Sequence, residues 1–445
     1  MGTAAAPRAV KLLLDLPGEL IERVLVHLTS TRDFGRAGCV CRAWRAGDSP
    51  VERVLRQRIK ARGGAVSAAL PPVATGSLTP MTHRLCLLDS ISAAQAMSGV
   101  MSMGSTASAA VDVDGHLCVW GELRSAARNA EPIFSYKTPT VVQTDRVKCV
   151  SCGGLHILAL TDAGAVLSFG QGNYGQLGHG DQLDQRDPKV VEALRGKHVN
   201  AMAAGLSHSL VLTREGLVYS FGRGKFGRLG HGNHDDLCEP KVIEALCGRH
   251  VTAIVAGHNA SMALTAKGAV ISFGSGPHGM IGQDLPMSRL VPSAIETLGN
   301  RHVLAVAMGR EHTIVLTDEG LVLSFGYGGF GALGHGDRKT QLAPKVIEAL
   351  CGRRVVAISA GAQQSLVLTD NGAVLSCGSL GTGFQYQYEP KVVEALRDVH
   401  VVSGYTRFVS WRVGMRIMVL TDEGIVLSLK DGEKKATLWT LARLR

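Results

Sequence analysis

Polar and apolar residues alternate along most of this chain in short, strand-length runs, and the runs return in the same order. In the segment His198 to Leu246, the small residues from Asn200 to Gly205 predict a first strand. Ser207 to Thr213 predicts a second, with Leu210 and Leu212 on one face and Ser209 and Val211 on the other. Arg214-Glu215-Gly216 reads as a tight hairpin turn, its glycine supplying the positive φ the turn demands. Leu217 to Phe221 predicts a third strand. After a glycine-rich loop, Pro240 and the run KVIEAL predict a fourth, edge-like strand, where proline need not donate to a ladder.

This unit repeats at a fixed stride. Phe169, Phe221, Phe273 and Phe325 close four third strands, each 52 residues after the last. Cys377 and Leu429 continue the stride, and Trp120 precedes it at 49. The turn glycines Gly115, Gly164, Gly216, Gly268, Gly320, Gly372 and Gly424 mark seven units. A period of this length signals a supersecondary unit that buries its apolar faces only against its neighbours. Four antiparallel strands per unit and no helical period between units predict a mainly β fold, a seven-bladed β-propeller over 85–445. The small first-strand residues (Ala201, Ala203, Ala204) are expected nearest the axis, and the closing Phe between blades.

The amino-terminal pattern is different. Leu20, Ile21, Val24, Leu25 and Leu28 form one helical stripe, preceded by Leu16-Pro17 in a position that suits a first turn. The run RDFGRAGCVCRAWRAG and a basic helix, VERVLRQRIK, follow. Together they predict a small all-α module at 12–58. So short a fold buries little core and is expected to need a partner. Residues 59–84 are rich in Ala, Gly, Pro, Ser and Thr and read as a flexible linker.

Composition narrows the function classes. The chain has 445 residues, 45% hydrophobic and 19% charged, which is the balance of a folded protein. No apolar run approaches the roughly 18 residues of a spanning helix, so no membrane partner is expected. The ten cysteines show no framework, which is expected of a reduced, intracellular protein of cytoplasm or nucleus. The net charge of +10 would suit nucleic acid, but residues 1–88 hold 13 Lys and Arg against 6 Asp and Glu. That leaves only +3 for the large repeat region, which argues against a nucleic-acid surface there.

Two resemblances follow from quoted residues. The unit G-x-x-H-S/T…G-x-V-x-S-F-G-x-G-x-x-G-x-L-G-H-G resembles the regulator-of-chromosome-condensation repeat, whose members form seven-bladed propellers. It is clear around Phe169, Phe221 and Phe325, partial around Phe273, where MIGQD replaces the usual ending, and degenerate at both ends. The stretch LPGELIERVLVHLTSTRDFGRAGCVCRAW resembles the F-box. That resemblance implies docking of a Skp-type adaptor, and through it a cullin, by Leu16, Pro17, Leu20, Ile21, Leu25, Leu28, Val40, Cys41 and Trp44. It departs from the pattern at Gly35 and Gly38, each costing about 1 kcal/mol in a helix interior. The combined expectation is the substrate-recognition subunit of a cullin-RING ubiquitin ligase, itself breaking no bond. The alternative is a guanine-nucleotide exchange factor or chromatin-binding propeller. That reading calls for a GTPase-binding surface or basic tail, and no inserted wedge hairpin stands out. A light sensor built on clustered tryptophans is not expected from a chain with four.

Candidate chemistry is judged by the repeat. Gly170-x-Gly172-x-x-Gly175 and its three counterparts match a dinucleotide fingerprint in letter but lack a following helix, so they read as tight loops. Cys149 and Cys152 read as small inner-strand residues rather than metal ligands. His156, His208 and His312 share one repeat position with Ala260 and Gln364, and are expected to donate to neighbouring backbone carbonyls. His179, His231 and His335 are read likewise. No catalytic residue, cofactor or metal is expected. Binding of a protein target is expected where the repeat breaks, at the aromatic and arginine residues Phe384, Tyr386, Tyr405, Trp411 and Arg412, and at the basic loop of Arg223, Lys225, Phe226 and Arg228.

Overall fold

The computed structural model describes residues 101–445 apart from 113, 126–130, 284–287, 380–384, 398, 400, 411–413, 422–425, 431–436 and 440–445. For 277, 402–410, 414–418, 420, 421, 426–430 and 437–439 it gives the backbone course alone. The expected helical module (12–58), with its nine adaptor-docking residues, and the linker (59–84) lie outside the described residues. So do Phe384, Trp411 and Arg412. The chain divides into two units, Met1–Ala93 and Ala94–Arg445, and all described residues belong to the second.

Seven four-stranded antiparallel sheets follow one another along the described residues, at 101–142, 147–190, 199–242, 251–294, 303–346, 355–392 and 401–439. In each, the four strands pair in sequence order. The third sheet uses Val199–Ala204, His208–Thr213, Val218–Gly222 and Leu237–Val242. Its second strand is central, with Val211 opposite Met202 on one side and Tyr219 on the other. Every residue of that strand is buried, and the same holds in the sheets on either side. A sheet with one solvated face would leave alternate residues wet. Burial on both faces means that each sheet is covered by a neighbour, which is why HILALT, HSLVLT and HTIVLT carry apolar residues at successive positions.

The closing phenylalanines sit where the repeat predicts. Phe169, Phe221, Phe273 and Phe325 are all 0–1% exposed, and each such burial stabilises by about 1.5–3 kcal/mol. Phe221 packs with Leu160, Val166, Val191 and Leu194 of the preceding blade. The fourth element differs from expectation. The strand starts earlier, at Leu237, and ends at Val242, and Glu244–Leu246 is a 3-10 turn rather than strand. Ile243 keeps one ladder bond, to the Val218 carbonyl, and the turn then brings Ile243 and Leu246 into the same interblade core. A straight strand would point residues three apart to opposite faces.

The tail completes the last blade. Thr437–Trp439 pairs with Val426–Lys430, so blade 7 is finished by its own chain. The first strand of blade 1 lies beside the first strand of blade 7, which closes the ring.

Candidate binding face

Successive blades are joined near the axis by the loops between first and second strands. Ser105, Gly154, Leu206 and Arg310 each donate a backbone N–H to the next blade, to Gly153, Gly205, Gly257 and Gly361 respectively, at 2.9–3.2 Å. Beneath this ring lie the repeat histidines. His156, His208 and His312 place Nε2 2.9 Å from the hydroxyls of Ser209, Ser261 and Ser365, each on the following blade. Those hydroxyls donate onward to the carbonyls of Gln176, Arg228 and Ala332 at 2.8 Å. Each hydroxyl hydrogen is thereby used, so the hydroxyl oxygen accepts and Nε2 carries the imidazole proton. The expected donation to a carbonyl is therefore indirect, relayed through a serine that the spacing could not reveal. The rings lie where side chains of Gly153, Gly205 and Gly309 would be. A Cβ on Gly205 would come 2.2 Å from Cε1 of His208. Burial pushes His156 and His312 down to about 4, and burial followed by the Arg228 charge holds His208 well below its ordinary range.

The glycine loops between third and fourth strands open on the same end of each sheet. The N–H that begins each loop, Gln171, Arg223, Ser275 and Tyr327, donates to a carbonyl of its blade's inner loop. His179, His231 and His335 each meet Ser168, Ser220 and Ser324 at 2.9–3.0 Å, while those serines donate to Leu177, Leu229 and Leu333. These histidines staple loops, and the glycine fingerprints are loop geometry. Cys149 and Cys152 lie on the first strand of blade 2, and burial raises the Cys149 thiol to about 11. The one group of metal-ligating type among the described residues is Asp112, Asp114 and His116. Asp112 Oδ1 accepts the Asp114 and His116 amides and Oδ2 meets His116 Nδ1, so the group caps its own turn.

What the loop face presents is aromatic and basic. One position per loop carries Tyr174, Phe226, His278 and Phe330. Around it runs a ladder: His278 lies 4.8 Å from Tyr327, Tyr327 5.2 Å from Phe330, and Phe330 5.7 Å from Tyr386. Tyr386 thus joins this row, which places one residue of the expected blade 6 cluster on it. Arg223 stacks over Tyr174 at 4.4 Å, Lys225 over Phe226 at 5.0 Å, and Arg338 over Tyr388 at 5.3 Å. Arg228 departs from expectation: it is 1% exposed, with Nε donating to the Lys225 carbonyl and an Nη to that of His258. It supports the loop from beneath rather than offering a surface contact. The row was legible as an aromatic recurring at 52 residues, yet Tyr174, His278, Tyr327, Phe330 and Arg338 escape a search confined to breaks in the repeat. At the axis the inner loops surround an open funnel of about 370 Å³, with His258 and Arg310 among its lining.

Blade 7 breaks the pattern on this same end. Its first two strands run Val401–Ser410 and Gly414–Thr421, against six residues each in blade 6. Thr406 opposite Ile417 corresponds to Ala360 opposite Ser365. Beyond that point blade 6 has the loop 361–364, whereas blade 7 continues pairing through Arg407–Arg416, Phe408–Met415 and Ser410–Gly414. Residues 407–416, ten where blade 6 has four, thus pair as an extended hairpin, which corrects the expectation that none is inserted. Tyr405 lies on its first strand, opposite Met418.

Comparison with known proteins agrees with this architecture. The family model for the regulator of chromosome condensation (RCC1) repeat matches residues 163–212, 215–264, 267–316 and 319–368, and a second RCC1 repeat model matches 147–176, 199–228 and 303–332. An F-box-like model matches 13–46. The chain is 32% identical over 325 residues to the human E3 ubiquitin-protein ligase HERC2, covering 69% of this chain but 7% of that protein's length. It is 34% identical over 288 residues to the ultraviolet-B receptor UVR8 of Arabidopsis thaliana, covering 63% of this chain and 64% of the receptor. The structure of Prp20p from Saccharomyces cerevisiae superposes with a TM-score of 0.59 at 20% identity, covering 68% of this chain and 79% of Prp20p, a likeness of fold. The chain carries regulator of chromosome condensation repeats, and it sets an F-box-like segment ahead of them.

Proposed function

We propose that this protein is the substrate-recognition subunit of an SCF-type cullin-RING ubiquitin ligase. The carrying observation is the pairing, on one chain, of an F-box-like segment at 13–46 with an RCC1-type propeller. The F-box-like segment would hold a Skp-type adaptor through Leu16, Pro17, Leu20, Ile21, Leu25, Leu28, Val40, Cys41 and Trp44. The loop face, with Arg223, Lys225, Phe226 and Tyr386, would hold a target protein. Phe384, Tyr405, Trp411 and Arg412 are proposed as further target contacts. The chain would act in the cytoplasm or nucleus by proximity, raising the effective concentration of target lysines at the conjugating enzyme, with no catalytic residue of its own. The test is co-purification of the adaptor and cullin with the full chain and with Leu16→Ala/Pro17→Ala/Ile21→Ala. Retention by the wild type and loss in the variant is expected, and absence of adaptor from the wild type would sink the reading.

A second reading rests on the blade 7 hairpin. A lengthened two-stranded element suits insertion into a partner, and the fold neighbour Prp20p is described by its binding to Gsp1p and histones. Replacing 407–416 by the Gly-Ala-Gln-Gln of 361–364 removes the extension alone. If the intact chain accelerates nucleotide release from a small GTPase and this variant does not, the exchange-factor reading prevails.

A further inference from the structure

Three cations of the blade 3 loop stand without a carboxylate partner. Among the described residues, Arg223, Lys225 and Arg228 take part in no ion pair. Aromatic faces and backbone carbonyls hold them instead: Tyr174 under Arg223, Phe226 beside Lys225 and Arg228, and the Lys225 and His258 carbonyls on Arg228. The loop does contain acids, but they are committed locally. Asp236 Oδ1 accepts the Gly224 N–H at 2.7 Å and Asp235 Oδ2 accepts from Asn233 at 2.6 Å. The turn face differs: there Arg146, Arg195, Arg354 and Arg397 each meet an Asp or Glu.

The repeat supplies its own control. The position of Arg228 holds Gln176, Met280 and Ala332 in blades 2, 4 and 5, and that of Arg223 holds Gln171, Ser275 and Tyr327. Those blades form the same sheets with the same loop bonds, so the fold does not require these charges. Arg228 feels the Asp236 charge only through space, with no ion pair, and the Arg223 charge opposes it, so the buried guanidinium keeps much of its desolvation penalty, which a further anion would offset. Flanking π-faces hold the arginine plane flat, the geometry for a bidentate carboxylate contact.

We infer that the blade 3 loop binds an acidic peptide segment of the recruited protein, with Arg223 and Lys225 contacting its carboxylates, Arg228 reinforcing the field from below, and Tyr174 and Phe226 taking its apolar side chains. This rests on the recruitment reading and names the chemistry of the target.

The test uses the full chain and a fluorescein-labelled twelve-residue peptide of alternating Glu and Leu-Ser, read by fluorescence anisotropy, beside the same peptide with Lys for Glu. The Glu peptide should bind, the Lys peptide should not, and affinity should fall steeply with added salt. Arg223→Gln/Lys225→Gln, both at accessible positions, should weaken binding by about tenfold or more while the melting curve is unchanged. Arg228→Gln, the residue blade 2 already uses, should weaken it without touching the peptide. Equal binding of the two peptides, or an Arg223→Gln/Lys225→Gln variant that binds like wild type, overturns the inference. So does displacement of the Glu peptide by a duplex DNA oligonucleotide, which would assign the loop to nucleic acid. Adaptor co-purification is scored separately. Its loss with peptide binding intact refutes the ligase reading alone, and the converse refutes the acidic-segment site alone.

Discussion

The buried histidines make this propeller acid-labile, and the size of the effect can be worked out. In the native state His156 carries its proton on Nε2, facing Ser209, and its Nδ1 is buried with no partner. Protonating Nδ1 puts a charge against the Gly153 backbone with nothing to accept it. Burial accordingly lowers His156 and His312 from 6.5 to about 4. The folded value lies below the unfolded one, so in that interval the unfolded chain binds the extra proton and stability falls with pH. The contribution is present above about 6.5 and is lost as pH drops towards 4. Between pH 7 and pH 5 each of these two histidines removes about 2 kcal/mol, the pair about 4 kcal/mol. The perturbation to make is His156→Gln/His312→Gln, since blade 6 already places a fully buried Gln364 at this position. Urea unfolding of both proteins at pH 7 and pH 5 measures the difference. The wild type should lose several kcal/mol over that range, and the variant should lose about 4 kcal/mol less. Equal losses, or imidazole signals titrating near 6.5 in the folded wild type, would refute the reasoning.

Other outcomes follow from the same relay. Ser209→Ala strands both the His156 Nε2–H and the Gln176 carbonyl in a buried site and should cost about 2–4 kcal/mol in chemical denaturation. Thr313→Val should cost less, by about 1 kcal/mol or more, because with Ala260 in the histidine position Thr313 serves only the Met280 carbonyl. Gly205→Ala sets a methyl between the His208 ring and the Gly257 carbonyl, 2.7 Å away, and should destabilise by about 3 kcal/mol or fail to fold, as judged by melting temperature and soluble yield. Exchanging residues 407–416 for the four of blade 6 should leave the melting temperature within a few degrees, since blade 6 forms the same four-stranded sheet with the shorter connection.

Much of the fold was legible because a propeller repeats its own evidence. Strand order, hairpin turns and the interblade phenylalanines are local patterns stated several times over, and accidents do not recur in register. The fourth strand was misplaced because KVIEAL is apolar at helix-like intervals, and only the packed neighbour decides that Glu244–Leu246 turns. The histidine relay was invisible for a different reason. Its partners lie 53 residues apart, and His156 says nothing of Ser209 until blades are stacked. The candidate face was half legible. Arg223, Lys225 and Phe226 are conspicuous in one loop, but burial of Arg228 depends on the adjoining blade. The row through His278, Tyr327 and Phe330 exists only because loops far apart in sequence converge at one end.

Because the strands of each sheet are consecutive along the chain, and the last sheet is completed by Thr437–Trp439, no strand among the described residues stitches the ring shut. The seam between blades 1 and 7 sets their first strands side by side, as first strands also meet at the other six seams. Whole blades can in consequence be gained or lost as cassettes in the gene, and the circle can be recut at another seam, with new ends at 195–198 for example, while the disc persists.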